Sequence, residues 1–201
     1  MKSVLRPALV LFAALSFICG VLYPFMMTGI GQIIFPQQVA GSLVNLGTQT
    51  VGSWLIGQSF SSPNYFWGRP SATAPMPNNA SASGGSNLGS LNPTLIDAIK
   101  GRIDLLKVVD PDNHGLIPVD LITASASGLD PEISLAAAFY QAGRVARVRN
   151  ISIDQVRSII TQYQQPQYFG FFGEPRVNVL SLNLALDKST VRNAALNKLA
   201  E

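Results

Sequence analysis

Few residues in this chain could carry chemistry, and their spacing closes off most of the usual kinds. The one histidine, His114, stands between Asn113 and Gly115 in a turn-like stretch, and the one cysteine, Cys19, lies in an apolar run. Neither can complete a tetrahedral metal shell with partners of its own type. No Gly-x-Ser-x-Gly nucleophile elbow occurs. Asp97 and Asp104 sit seven apart on a helical pattern, which suits a solvated face better than an acid–base pair. Ser83-Gly84-Gly85-Ser86-Asn87 could cradle a phosphate with its backbone N–H groups. It lacks the Gly-Lys-Ser/Thr ending of a P-loop, so it reads as a partner-contacting or structural loop. Arg69 is the only charge between Arg6 and Asp97, and Pro70 after it favours an extended backbone. Its guanidinium offers a planar fork of donors to a carboxylate of this chain or to a partner. Arg144 and Arg147, at i,i+3, read as a solvated helix face. The chain is expected to be no enzyme by itself.

The elements that must position these groups begin with an anchor. From Pro7 to Gly68 there is no Asp, Glu, Lys, Arg or His, and the run Ala8 to Phe35 is largely apolar. About 20 helical residues cross the ~30 Å hydrocarbon layer, and a helix satisfies its own backbone there. A cleaved signal peptide fits less well, because the apolar run continues past Gly20, no small-x-small triplet follows, and Pro24 stands where cleavage would fall. Ile18 before Cys19 argues against a lipoprotein site. Pro24 predicts a kink in the span or its outer end. Lys2 and Arg6 place the N-terminal side in the cytoplasm by the positive-inside rule. The expected organisation is a cytoplasmic tail 1–7, a transmembrane helix 8–30 and an extracytoplasmic, periplasmic domain 31–201.

All eleven acidic residues fall from Asp97 onward; with Lys2 and Arg6 set aside, twelve bases face them, leaving the outer domain near +1. Such a balance provides no basic field for nucleic acid. Val51–Ile56 reads as a strand carrying Trp54, Tyr65-Phe66-Trp67 as an aromatic cluster, and 78–90 as a flexible loop. Asn92-Pro93 starts a helix with Leu95, Ile99, Ile103 and Leu106 inward and Lys100, Arg102 and Lys107 in water. Val119–Thr123 reads as a strand and Leu129-Asp130-Pro131-Glu132 as a turn. Ser134 and Ser152 cap helices from Leu135 to about Arg149 and from Ile153 to Tyr163. Val177–Val179 reads as a strand, Leu180–Leu186 fits either type, and the tail from Lys188 is helix-prone. The fold class is therefore α+β: a single N-terminal transmembrane helix followed by one mixed α/β domain.

Several motifs, in one order, resemble a known family. They are Leu5-Arg6-Pro7-Ala8 before the span, Gly68-Arg69-Pro70-Ser71-Ala72, Ala82-Ser83-Gly84-Gly85-Ser86-Asn87-Leu88-Gly89, Thr123-Ala124-Ser125-Ala126-Ser127-Gly128-Leu129-Asp130, and Val177-Asn178-Val179-Leu180 with Leu182-Asn183-Leu184-Ala185-Leu186-Asp187. Together they resemble the C subunit of the Kdp potassium-transporting P-type ATPase, from residue 5 to about 188. The resemblance implies a single-pass accessory subunit in the bacterial inner membrane, partnered by a channel-like potassium-binding subunit, a catalytic P-type ATPase subunit and a small hydrophobic subunit. It implies that ATP and potassium are handled by the complex, that no cofactor is bound here directly, and that the subunit stabilises assembly and assists ATP binding as a catalytic chaperone. The candidate partner contacts are Arg69, Pro70, Ser71, Ser83, Gly84, Gly85, Ser86, Asn87, Ser125, Ser127 and Asn183. Beyond the partner subunits, only membrane lipid is expected as a contact. The tail from Ser189 to Glu201 extends past the motifs. The competing reading is an independent membrane-tethered periplasmic binding protein that uses Tyr65, Phe66 and Trp67 as a ligand platform.

Overall fold

An apolar stretch with no charge after Arg6 favours one continuous helix, and Leu5–Ile34 forms it. The computed structural model describes residues 4–200, so the expectation resting on Lys2 lies outside the described residues. The helix comprises α1 (Leu5–Phe17), a π-helical turn (Ile18–Leu22) and α2 (Tyr23–Ile34). Pro24 has no N–H to give and its ring crowds the carbonyl four residues back. The wider turn answers this: the Tyr23 N–H reaches Ile18 O, and Pro24 enters at the first turn of α2. Proline thus marks a π bulge inside the long helix. At about 1.5 Å per residue, these 30 residues extend about 45 Å, and none of the 18 residues in its most apolar window is buried.

The chain divides into two units, Met1–Val51 and Gly52–Glu201. In the first, α2 is followed by the short α3 (Pro36–Val39) and by β1 (Leu43–Leu46), which pairs with β2 (Gln49–Ser53). Gly47 takes the positive φ of +62° at the hairpin turn.

Among the described residues the second unit is built on four α-helices and one small three-stranded sheet. Asn92 caps α4 (Pro93–Val109) by accepting the Thr94 N–H, with Pro93 at the first helical position. Ser134 caps α5 (Leu135–Arg149) through the Ala137 N–H, and Ser152 caps α6 (Ile153–Tyr163) through the Gln155 N–H. Asn150 ends α5 in the left-handed region at φ +55°. β3 (Glu132–Ser134), β4 (Gln164–Gln165) and β5 (Arg176–Asn178) form an antiparallel sheet in the order β3-β5-β4, with Ile133 opposite Val177 and Gln164 opposite Val177. The final helix, α7 (Val179–Ala200), follows β5 directly. Ala137, Ala138 and Ala142 let α5 approach closely, and with Val145, Val156, Ile160, Leu182, Leu186 and Leu121 they form the core together with Phe66 and Trp67.

Several expectations change. Val119–Thr123 is not a strand: Val119–Leu121 is a 3₁₀ turn, because the Thr123 N–H and hydroxyl both return to Val119 O, at 2.9 and 2.8 Å. The strand expected over Val51–Ile56 ends at Ser53, whose hydroxyl accepts the Leu55 N–H and turns the chain. Glu132, expected in a turn, opens β3. The expected strand at Val177–Val179 is displaced by one residue, and Leu180–Leu186 resolves as helix. Within the 78–90 loop, Ala80–Ala82 forms a 3₁₀ turn that Asn79 caps.

Candidate functional site

The segment from Ser62 to Gly68 belongs to no helix or sheet, so its backbone needs partners from elsewhere. Two side-chain amides provide them. Asn183 on α7 accepts the Phe66 N–H at 2.8 Å and donates to Phe66 O at 3.0 Å; Gln141 on α5 does the same for Trp67, at 2.8 and 3.1 Å. Each amide replaces one rung of a missing sheet neighbour. The rings lie inward, Phe66 at 0% and Trp67 at 2% exposure.

Arginines complete the grip. Arg144 lies 4.8 Å from the Trp67 ring centroid and Arg102 5.3 Å, while Arg149 lies 4.8 Å from the Tyr65 ring. Arg144 donates to Pro63 O and to Gln141 Oε1, Arg149 to Asn64 O and Asp187, and Arg102 to Leu121 O and Gly68 O. Burial pushes the Arg144 guanidinium down to about 10, with the Asp110 carboxylate opposing the shift, so it keeps its charge at neutral pH. Burial also lowers Arg102. The solvated-face reading is thereby corrected for Arg144, which is 2% exposed, while Arg147 is exposed as that reading expects and reaches the buried Asp110 at 2.6 Å. The hydrogen bond to Asp110 holds Arg147 above its ordinary value. Arg102 is likewise no wet residue, whereas Lys100 and Lys107 are exposed. The three-residue spacing told nothing about the aromatic segment that would pack across those helices.

Immediately after this clamp the chain emerges as Arg69-Pro70-Ser71 and meets the other candidate segments. Arg69 Nη1 bonds Asp130 Oδ2 at 3.1 Å and its Nη2 reaches Ala124 O at 3.4 Å, while its Nε is buried with no hydrogen-bond partner. Of the two readings of Arg69, the salt bridge within the domain is formed. Pro70 O accepts the Ser125 N–H, and Ser71 Oγ donates to Gly128 O at 2.7 Å while accepting the Asn78 N–H. Ser127 O accepts both the Gly84 N–H, at 2.9 Å, and the Ser83 hydroxyl, at 3.0 Å. A Cβ on Gly85 would stand 3.0 Å from Ala126 O. One on Gly128, whose φ is +66°, would stand 2.4 Å from Thr73 Cγ2 and 2.8 Å from Gly84 O, so only glycine fits there.

Segments 69–73, 83–87 and 124–130 thus form one knitted loop surface, with Ser83, Ser86, Asn87 and Ser127 exposed, Gly84 and Gly85 half-buried and Ser125 buried. The Gly84 N–H is already given to Ser127, which removes one donor from any phosphate cradle. Asn183 does not join this surface; it is 1% exposed and holds Phe66. Thr73 and Asn78 tie the surface and were missed, since isolated Thr and Asn in a Pro-rich loop carry no periodic signal. Ser71 and Pro70 also line a cavity of about 400 Å³ with Leu88, Leu95, Ile99 and Ile122. A second cavity, of about 490 Å³, is lined by Arg69, Asp120, Asp130, Glu132, Glu174 and Arg176. Asp130 there pairs with Arg69, Glu132 with Arg176, and Asp120 accepts the Ser134 N–H. Among the described residues no group of three or more His, Cys, Asp or Glu is placed to hold a metal ion.

One helix long and apolar enough to cross a membrane, joined to a mixed α/β domain whose loops are fastened to one another, defines the class of molecule. Within that class the chain belongs to the KdpC family, described as the K+-transporting ATPase c chain, which matches residues 5–188. It is 66% identical over 188 residues to the "Potassium-transporting ATPase KdpC subunit" of Janthinobacterium sp. (strain Marseille), covering 94% of this chain and 100% of that protein. The protein of that name from Herminiimonas arsenicoxydans is 67% identical over 188 residues, 94% of this chain and 99% of its own. The one from Polaromonas naphthalenivorans is 60% identical over 194 residues, 96% of this chain and 99% of its own.

Proposed function

We propose that this chain is an accessory subunit of an ATP-driven potassium uptake complex, held in the bacterial inner membrane by its long helix. The observation carrying this reading is the family match over residues 5–188, made by relatives of nearly the same length. The residues favour a docking role over chemistry of the chain's own: Arg69 with Asp130 and Arg176 with Glu132 are paired within the domain, and glycines and serines of the loop surface are fastened to one another. Its partners are a channel-like potassium-binding subunit, a catalytic P-type ATPase subunit and a small hydrophobic subunit. Residues 1–7 form a cytoplasmic tail, 8–30 the membrane span and 31–201 the periplasmic domain. Loop residues Arg69, Pro70, Ser71, Ser83, Gly84, Gly85, Ser86, Asn87 and Ser127 supply the contact surface, with Ser125 beneath them.

An external domain does not touch a cytoplasmic nucleotide, so any assistance to ATP binding is a coupling free energy carried through the assembly and the packed spans. The aromatic-platform alternative loses its footing, because Phe66 and Trp67 are spent in the core. The test is affinity purification of the full chain from its native membrane in mild detergent. Recovery with a P-type ATPase and a channel-like protein is the expected outcome. Recovery alone, under conditions that keep other membrane complexes whole, would reject the subunit reading.

A further inference from the structure

A second aromatic group stands outside both the aromatic clamp and the loop surface. Tyr168, Phe169, Phe171 and Phe172 stand 64%, 89%, 68% and 57% exposed on the link between β4 and β5. From Ser158 to Gly173 there is no charged residue. Monomeric soluble domains rarely leave so dense an apolar projection in water.

Its backbone is closed on itself. The Tyr168 N–H bonds Phe172 O at 3.0 Å, the Phe172 N–H bonds Tyr168 O at 2.9 Å, the Phe171 N–H also reaches Tyr168 O, and the Gly170 N–H reaches Gln167 O. Phe169 at φ +53° and Gly170 at φ +78° make the tight tip, and Gln167 Nε2 closes its base on Gly173 O. Arg176, paired with Glu132, lies 5.4 Å from the Tyr168 ring and holds it from below.

We propose that the Tyr168–Phe172 hairpin dips into the lipid headgroup region of the membrane that anchors the chain. An apolar medium tolerates only backbone whose polar groups are satisfied internally, and this tip arrives with four of its amides already paired. Tyrosine and phenylalanine suit the boundary between headgroup and acyl chain, where a ring finds apolar contact and the tyrosine hydroxyl finds water. A protein partner would ordinarily bring hydrogen bonds to a docked loop; this loop needs few. The proposal rests on the long helix being a membrane anchor.

The test uses the full chain with its co-purified partners in lipid nanodiscs, carrying Phe169→Trp, with the signal of the parent's Trp54 and Trp67 subtracted. The added indole should emit to the blue of a solvated one, resist iodide, and lose about half its emission in phosphatidylcholine brominated high on the acyl chain, a depth of ~5–10 Å. An indole quenched by iodide and untouched by bromine overturns the proposal. A blue-shifted indole indifferent to bromine also overturns it and assigns the hairpin to a partner subunit. Release of the chain from vesicles by an alkaline wash would instead reject the anchor itself, which separates the two failures.

Discussion

The two aromatic clusters of the second unit, Tyr65-Phe66-Trp67 and Tyr168 to Phe172, have similar composition and opposite fates. The first is enclosed because three helices each send it a specific partner: Arg102 from α4, Gln141, Arg144 and Arg149 from α5, and Asn183 from α7. The second receives only Arg176 from its own neighbourhood and pairs its backbone with itself. Burial of an aromatic is therefore decided by whether distant elements can satisfy the peptide groups travelling with the ring. The rings alone do not decide it.

This contrast can be broken by mutation. The largest effect belongs to Trp67→Ala, which empties the space between Arg102 and Arg144 and leaves two guanidinium groups without their ring; a loss of about 4 kcal/mol is expected in denaturant unfolding of the detergent-purified chain. Asn183→Leu keeps the volume but strands the Phe66 N–H and C=O, and should cost about 2–3 kcal/mol. A cost below about 0.5 kcal/mol would mean that the amide clamp is incidental. Gly128→Ala forces a Cβ into the positive-φ corner of the loop surface and should cost about 2 kcal/mol. Adding Thr73→Ser should recover only part of this, because Gly84 O also stands in the way. Phe169→Ser should stay within about 0.5 kcal/mol of the parent, since its ring packs against nothing that the fold needs. A large destabilisation there would erase the distinction between the clusters.

What was legible in the sequence follows the same division. The starts of α4, α5 and α6 could be read because Asn92-Pro93, Ser134 and Ser152 cap their own helices through local hydrogen bonds. The long apolar helix was legible from the absence of charge. Val119–Thr123 misled because β-branched residues suggest a strand, while Thr123 Oγ1 turns the chain onto Val119 O. Arg102 and Arg144 misled because amphipathic spacing assumes that charge prefers water, and here aromatic faces and carbonyls substitute for it. Of the candidate site, segments 69–71, 83–87 and 125–127 do come together in space. Asn183 belongs instead to the clamp, a role that depends on Phe66, more than a hundred residues away. The Tyr168–Phe172 hairpin gave no reading at all, being too short for any periodicity to register.

The proposal stands or falls on whether this KdpC-family chain, whose arginines hold its own aromatic segment, is needed by the transport ATPase as a docked subunit. The most direct measurement is potassium-stimulated ATP hydrolysis by the partner subunits, purified with and without this chain. The account predicts that stimulation disappears without the chain and returns when the full-length chain is co-produced. Full potassium-stimulated hydrolysis in its absence would contradict it.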